Sequence, residues 1–339
     1  MRYSLLNLFR FFAAIIVVLF HFGYCIPPFD EGILNRLIGN GHFAVTFFFV
    51  LSGFVMVLSN QKTNLKLHTE KIRFWKKRAI RLLPLYYLAI IMYVIFTLGV
   101  KNPIDWKEML LNVIGVHAWD LNPQPLINPP SWSLSAEFFF YLLTPPLLLF
   151  SQSRSIKKNV FIAILVWLIT VIAFVFFMQY HQRDLPFNFF PLWHLSTFFI
   201  GITTGNIWIA IGHKISYNKQ YFLLFLIMCL TLFCTFNTGF FHKKHIALFA
   251  PIFAVIIFIT VLFEKDNQAK FPNQFFDFLG DLSYPIYILH WPFLTYFNYF
   301  FQDVNTLTWL VKYLCGLVAF SILLHFTTER FFKKLYKTI

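Results

Sequence analysis

The fold of this chain is decided by its first long apolar run, residues 5–25, which reads LLNLFRFFAAIIVVLFHFGYC. About 20 apolar residues, each rising about 1.5 Å, are enough to cross the hydrocarbon core of a bilayer. The run contains two ionisable side chains, Arg10 and His21, which are costly in a membrane unless they face protein or a water-filled cavity. Their separation corresponds to about three helical turns, or roughly 16 Å. We therefore expect both side chains on one helix face, at two depths of an internal cavity.

The composition is that of a polytopic membrane protein. The 339 residues are 58% hydrophobic and 21% aromatic, and only 12% are charged. Apolar runs long enough to span a bilayer recur along the whole chain, separated by short polar segments. We predict an all-α integral membrane protein in which residues 1–339 form a single transmembrane domain with no appended soluble domain. The four cysteines lack metal-ligand or disulfide-framework spacing, so we expect free thiols.

Ten apolar runs define the predicted helix bundle. An even number of spans places both chain termini on one side of the membrane, and most Lys and Arg residues fall in the segments of that side. Positive charge in short loops marks the cytoplasmic side, so both termini are predicted to be cytoplasmic. The predicted spans are residues 5–25, 41–60, 82–100, 131–150, 160–178, 191–210, 221–238, 246–263, 281–301 and 307–328.

The most basic segment, residues 61–81, is a predicted cytoplasmic loop that ends with Arg78 and Arg81. For its lysines, a topology signal that also attracts anionic lipid is a sufficient explanation. The two arginines are spaced by three residues, so they share a helix face at the membrane surface. Paired guanidinium groups suit bidentate capture of phosphates. We therefore predict a phosphorylated ligand there.

A carboxylate opens the fourth predicted span, in the sequence SWSLSAE that ends at Glu137. Counted from the outer surface, Glu137 and His21 lie at similar depths, about 8 to 9 Å. A carboxylate beside an imidazole orients it and raises its basicity, as general acid/base catalysis requires. We predict that the two residues pair. The alternatives are a carboxylate that satisfies a backbone or aromatic partner and a satisfied core histidine.

Two further stretches contain unusual features for membrane helices. Residues 280–292, GDLSYPIYILHWP, carry two prolines, which predict a kinked or broken helix that faces protein or a cavity. Tyr284 lies near the inner end of this stretch, and His290 lies high enough to line the same cavity as the histidine of the first run. In residues 41–54, GHFAVTFFFVLSGF, the adjacent Ser and Gly favour close helix packing.

Five of these stretches, taken in order, resemble the motifs of the acyltransferase 3 family of bacterial integral-membrane acyltransferases. Each motif is weak alone, but five in the family's order are specific. The sequence departs from the common pattern at Asn7, where an acidic start is usual, and at Phe138, where a second acidic residue is frequent. The matching pieces are Arg10 with residues 17–21, residues 47–54, residues 78–81 with Pro84 and Tyr86, residues 132–137 with Tyr141, and residues 283–287 with His290 and Pro292.

The resemblance implies a ten-span enzyme of the bacterial inner membrane. Such an enzyme takes an acyl group from cytoplasmic acyl-coenzyme A, here expected to be acetyl-CoA, and transfers it to a hydroxyl of a cell-surface glycan or glycolipid. Acyl-CoA is a co-substrate, and no permanently bound cofactor or metal is expected. In this family the arginine pair is thought to hold donor phosphates, and the first-helix arginine and histidine are essential.

The predicted site combines two catalytic side chains with six that bind substrate. The arginines anchor the donor and the first-run histidine accepts the proton of the acceptor hydroxyl, by direct transfer or through an acyl-histidine. Ser133 or His290 is expected to stabilise the oxyanion. The catalytic residues are His21 and Glu137, and the substrate-binding residues are Arg10, Arg78, Arg81, Ser133, Tyr284 and His290.

Two other functions fit the same residues. A transporter of acyl groups or lipid-linked sugars would line its path with buried charges and use a broken helix. An assembly subunit would use the arginines only to meet membrane lipid. The sequence has no Gly-rich phosphate loop, no GxSxG elbow and no nucleic-acid module, so no nucleic-acid partner is expected.

Overall fold

The structure is a computed structural model that describes residues 3–120, 127–181, 188–237, 246–267, 272–301 and 306–337. These residues form helices and no strand, which confirms the all-α prediction. A π-helical turn, Trp208–Gly212, continues the eighth helix. The α-helices are α1 (Ser4–Phe22), α2 (Gly32–Gly39), α3 (Ala44–Ser59), α4 (His68–Gly99), α5 (Trp106–Ile114), α6 (Trp132–Gln152), α7 (Ile156–His181), α8 (Leu192–Ile207), α9 (Lys219–Asn237), α10 (Ala250–Asn267), α11 (Asn273–Phe300) and α12 (Leu307–Lys337).

Nine helical segments within the described ranges are long and apolar enough to cross a membrane. The predicted span 281–301 is not among them, because its Ser, Tyr and His residues lower its mean hydropathy. It falls within α11, whose 28 residues are long enough to span. The chain ends predicted to be cytoplasmic, and the predicted end of the seventh span at residue 238, lie outside the described residues. The nine segments are Ser4–Phe22, Gly32–Ser59, His68–Gly99, Pro129–Gln152, Ile156–Phe177, Leu192–Gly212, Lys219–Phe236, Ala247–Asn267 and Leu307–Thr327.

Helix α4 begins much earlier than the predicted span. The prediction starts at residue 82, whereas the helix starts at His68 and continues through Pro84 to Gly99. Lys and Arg are good helix formers, so most of the basic segment extends the helix instead of forming a loop. Arg78 and Arg81 therefore lie about one turn apart on a regular helix.

Helix α11 runs without interruption through Pro285 and Pro292. The prolines predict a kinked or broken helix, and the helix is not broken at either of them. Each proline removes one backbone hydrogen bond, and membrane helices tolerate this loss where neighbouring helices support them. Here α11 packs along much of α1, which is one of the two most extensive helix contacts in the bundle.

The other extensive contact joins α3 to α8. A Cβ atom on Gly53 would overlap the carbonyl oxygen of Phe198, and one on Gly201 would overlap the carbonyl oxygen of Val50. Only glycine allows two backbones to approach this closely. The close packing predicted for residues 41–54 is confirmed.

Acidic residues of other helices fix the first turn of α1. Glu264 of α10 accepts hydrogen bonds from the backbone N–H groups of Ser4 and Leu5, at 2.5 and 3.0 Å. Asp277 of α11 accepts one from Asn7 Nδ2 at 2.7 Å. Carboxylates at a helix N-terminus satisfy its free N–H groups and complement its dipole. The helix that carries both ionisable residues of the first run is thereby held in place along its axis.

Candidate active site

A pair of histidines joins the C-terminal end of α1 to the interior of α11. His290 Nε2 lies 3.2 Å from His21 Nδ1, and the ring centroids are 5.1 Å apart. His290 Nδ1 lies 2.6 Å from the carbonyl oxygen of Tyr287. His21 Nδ1 lies 2.9 Å from the carbonyl oxygen of Val17. The structure therefore brings into contact the two histidines that the sequence placed along one cavity.

These contacts assign the protons of the pair when both rings are neutral. A carbonyl oxygen only accepts hydrogen bonds, so Nδ1 of His290 carries the proton and its Nε2 is an acceptor. Nδ1 of His21 then faces two acceptors and is protonated as well. Nε2 of His21 keeps its lone pair, and no described residue donates to it. The pair thus provides one free basic nitrogen, as a general base requires.

Glu137 lies deeper in the bundle and has other partners. Its Oε1 accepts hydrogen bonds from Ser52 Oγ of α3, at 3.0 Å, and from Tyr141 Oη, one turn along α6. Among the described contacts none joins Glu137 to His21, so the predicted pairing is wrong as a contact. Similar depth does not give two side chains the same direction around the bundle axis. His290 occupies the position beside the imidazole that was predicted for Glu137.

Arg10 is half-buried and has no hydrogen-bond or ion-pair partner among the described residues. Its electrostatic neighbours are Arg81, Asp281, Glu137 and Tyr141. A cation in a membrane bundle is costly without a partner, and such residues mark ligand or ion paths. Arg10 therefore presents unpaired positive charge to the interior.

The arginine pair lies at the opposite end from the histidines. Arg78 donates from Nη2 to Ser59 Oγ at 3.2 Å, and its guanidinium lies over the ring of Tyr141, 5.7 Å from the centroid. Arg78 and Tyr141 line a cavity of about 200 Å³ between α4 and α6. Arg81 is exposed and acts electrostatically on Arg10 and Tyr141. Tyr141 thus connects the arginine end to the bundle interior.

Ser133 and Tyr284 lie between the two ends. Ser133 Oγ is 2.7 Å from Tyr287 Oη, and both hydroxyls contact one backbone carbonyl at 3.1 Å. The hydroxyl predicted to stabilise an oxyanion is therefore already engaged. Tyr284 Oη donates to the carbonyl oxygen of Leu82 at 2.6 Å. Tyr284, Tyr287 and His290 follow one another every three residues, so they share a face of α11.

Together these side chains form a polar column that runs from the arginine end to the histidine end between α1, α3, α4, α6 and α11. Sequence reasoning did not assign Ser52, Tyr141 or Tyr287 to the site. The three-residue spacing from His290 could have identified Tyr287. No sequence signal shows that the Ser52 hydroxyl faces a carboxylate. The column consists of Arg78, Arg81, Arg10, Tyr141, Glu137, Ser52, Tyr284, Ser133, Tyr287, His290 and His21.

Known proteins resemble this chain along most of its length. It is 25% identical to O-acetyltransferase OatA of Staphylococcus aureus over 322 residues, 86% of this chain and 50% of that protein. It is 25% identical to peptidoglycan O-acetyltransferase OatA of Listeria monocytogenes over 289 residues, 75% of this chain and 45% of that protein. The chain therefore spans about half the length of these relatives.

A shorter match and a family profile complete the comparison. Acyltransferase MdmB of Streptomyces mycarofaciens is 32% identical over 114 residues, 31% of this chain and 28% of that protein. No solved structure matches. The profile of a family described as an acyltransferase domain matches residues 3–326, from the start of α1 into α12. The chain therefore belongs to the acyltransferase 3 family.

Proposed function

We propose that the protein transfers an acyl group, acetyl in the simplest case, from acyl-CoA at the arginine end of the polar column to a hydroxyl of a cell-surface saccharide at the histidine end. The observation that carries this proposal is the column itself, with unpaired cationic charge on Arg10 and a free basic nitrogen on His21. Relatives named as O-acetyltransferases, one of them for peptidoglycan, support an O-linked saccharide acceptor.

The proposal includes an orientation, with the arginine end and both termini on the cytoplasmic side of a bacterial inner membrane. The first turns of α4 support it, because they carry Lys71, Arg73, Lys76 and Lys77 in addition to the arginine pair. Positive charge of this density beside a span is typical of the cytoplasmic side. Acyl-CoA is a cytoplasmic thioester, so donor and arginines then share one side.

In the proposed reaction, Arg78 and Arg81 bind donor phosphates through charge and forked hydrogen bonds, and Arg10 supplies a further cation along the donor arm. Nε2 of His21 accepts the proton of the acceptor hydroxyl as its oxygen attacks the thioester carbonyl. The C–O bond forms, the C–S bond breaks, and the proton passes from the imidazolium to the thiolate, which leaves as free CoA. His290 accepts from Nδ1–H of His21 and so keeps Nε2 directed at the acceptor.

The test is thiol release from acetyl-CoA by the purified full-length protein, with the base-deacetylated saccharide fraction of the host envelope as acceptor. The wild type should release thiol and form base-labile acetyl ester. His21→Ala should lower turnover by at least about 100-fold, the usual minimum for a general base. The double variant Arg78→Ala/Arg81→Ala should raise the KM for acetyl-CoA.

Matched controls come from exposed residues outside the polar column. His213→Ala is the control for the histidine, and Arg73→Ala/Arg154→Ala is the control for the arginine pair. If His21→Ala transfers acetyl groups at the full rate and at equal protein level, the reaction does not take place at the histidine end. Thiol release by the wild type no faster than by heat-denatured protein would exclude acyl-CoA as the donor. The uninterrupted α11 gives no support to the transporter alternative.

A further inference from the structure

A second cavity lies beside the histidine end, between α4 and α11. Its volume is about 370 Å³, which is within the range of roughly 300–1,000 Å³ typical of small-molecule sites. Trp291 and Tyr296 of α11, Tyr93 and Phe96 of α4, and Asn102, just beyond α4, contribute to its wall. None of these residues belongs to the polar column.

Trp291 separates this cavity from the histidine pair. Its ring meets that of His21 edge-on, with centroids 5.8 Å apart, and lies 5.2 Å from the ring of Phe22. It directly follows His290, so consecutive residues of α11 serve the column and the cavity. A ligand in the cavity is therefore one side chain away from the imidazole of His21.

The cavity wall presents hydrogen-bonding groups beside a fixed aromatic surface. The indole N–H of Trp291, the hydroxyl of Tyr93 and the side-chain amide of Asn102 have no partner among the described residues. Tyr296 Oη, in contrast, donates to the carbonyl oxygen of Met92 at 2.8 Å, which fixes its ring in the wall. Aromatic faces next to a few free polar groups suit a ligand with apolar C–H faces and many hydroxyls. A sugar ring has this chemistry.

We propose that this cavity is the acceptor subsite, in which a saccharide ring stacks on Trp291 and bonds to Tyr93 and Asn102. The ring then presents one hydroxyl past Trp291 to Nε2 of His21. This inference rests on the proposed acyl transfer and adds the place and the manner in which the acceptor binds. Trp291 is a positioning residue, since the proton goes to the histidine.

Steady-state kinetics of the purified full-length protein test the subsite, with acetyl-CoA as donor and the deacetylated envelope saccharide as acceptor. Trp291→Ala should raise the KM for the saccharide about ten-fold, the effect of about 1.4 kcal/mol of binding, while the KM for acetyl-CoA changes less than about two-fold. Trp291→Phe keeps a ring and loses the N–H, so its rise should be smaller. Asn102→Ala should raise the saccharide KM by a few-fold.

Two exposed aromatic residues that do not line the cavity are matched controls, Trp106, 74% exposed, and Tyr299, 60% exposed. Trp106→Ala and Tyr299→Ala should leave the saccharide KM unchanged. An unchanged saccharide KM in Trp291→Ala and Asn102→Ala overturns the subsite. An equal rise of both KM values in Trp291→Ala also overturns it, since the ring would then only support His21.

Failure of the proposed function is seen separately, in the wild type. No thiol release, or thiol release without acetyl transfer to saccharide, refutes the reaction or its acceptor class before any variant is compared. An unchanged saccharide KM in Trp291→Ala, together with a loss of phospholipid that copurifies with the wild type, would assign the cavity to a lipid chain instead.

Discussion

Two histidines of this protein have opposite surroundings. His117, between α5 and α6, is 2% exposed, and its Nε2 and Nδ1 lie 3.1 and 3.5 Å from the hydroxyls of Ser131 and Tyr86. His21 uses only Nδ1, toward Val17 and His290. Both are single histidines in apolar sequence. Both ring nitrogens of His117 face hydroxyls of the protein, whereas Nε2 of His21 has no hydrogen-bond partner among the described residues and is the nitrogen available for proton transfer.

The surroundings of His117 form a closed network. Tyr86 Oη donates to the carbonyl oxygen of Asn112 at 2.5 Å, and Asn112 Nδ2 donates to Glu108 Oε1 at 2.7 Å. Ser131 Oγ donates to the carbonyl oxygen of Asn128 at 2.6 Å. The network ties α5 to α4 and to the start of α6. It holds structure together, whereas the His21 pair leaves a nitrogen open.

Replacement of each histidine by alanine should distinguish their roles, and it should give the largest change of all the variants considered. His21→Ala should lower kcat by about 10²- to 10⁴-fold, the usual contribution of a general base, with little change in thermal midpoint. His117→Ala should lower the midpoint and leave turnover per folded molecule unchanged. Thiol release and a melting curve on the same preparations measure both. Equal losses of turnover in His21→Ala and His117→Ala would contradict the distinction between the two histidines.

Acid should destabilise the protein through His117. Burial lowers the pKa of His117 to about 4, against about 6.5 in the unfolded chain. Between these values the unfolded state binds more protons, so the contribution to stability is complete above pH 6.5 and is lost as pH falls toward 4. The loss is about 3 kcal/mol. The midpoint of thermal unfolding, measured from pH 7.5 to 4, should fall accordingly.

A non-titrating variant checks the source of this dependence. His117→Asn should flatten the fall of the midpoint, and His213→Asn, at an exposed position, should keep it. If the midpoints of both variants fall with pH as the wild type's does, other groups cause the acid sensitivity. The pH dependence of stability then gives no support to the structural role of His117.

Replacement of His290 should have a smaller effect than loss of His21. His290→Phe removes the acceptor for Nδ1–H of His21, and loss of about one hydrogen bond corresponds to a decrease in kcat of about ten-fold. His290→Gln keeps an acceptor oxygen and should recover part of the rate. The pH profile of kcat should shift in the Phe variant. A Gln variant as slow as the Phe variant would argue against the orienting role.

Removal of the charge of Glu137 should have the smallest effect of these substitutions, and it should lower the KM for acetyl-CoA. Glu137→Gln keeps an acceptor for Ser52 and Tyr141 but removes a negative charge near Arg10. The interior then attracts donor phosphates more strongly, so the KM for acetyl-CoA should fall by a few-fold, as expected for charges several ångströms apart at intermediate dielectric. A large loss of kcat at constant KM would instead show that Glu137 takes part in the reaction.

Much of the fold follows from the apolar runs, and the exceptions have physical causes. Hydropathy marks only the apolar part of α4, so it misses the basic turns before residue 82. In α11 the polar groups that build the site lower the same signal. Proline predicts the loss of a hydrogen bond, but whether the helix breaks depends on neighbouring helices.

The sequence predicts on which helix each candidate residue lies, but it does not predict which of these side chains face one another. Spacing within one helix placed Arg10 and His21 along α1 and His290 near the histidine end. The partner of His21 could not be chosen, because depth can be counted along a sequence while the rotation of α6 relative to α1 is set by long-range packing. For the same reason Ser52 was recognised only as a packing residue.

Helix α1 holds two functional side chains at a fixed distance from each other. Helix geometry sets the spacing of Arg10 and His21 at about three turns, roughly 16 Å, and the contacts of Glu264 and Asp277 hold the helix start against α10 and α11. On the proposed function, a thioester reaches a cation and the imidazole together only if its arm spans that length. An acetylated cysteamine is too short to do both, so the enzyme would select its donor by arm length as well as by charge.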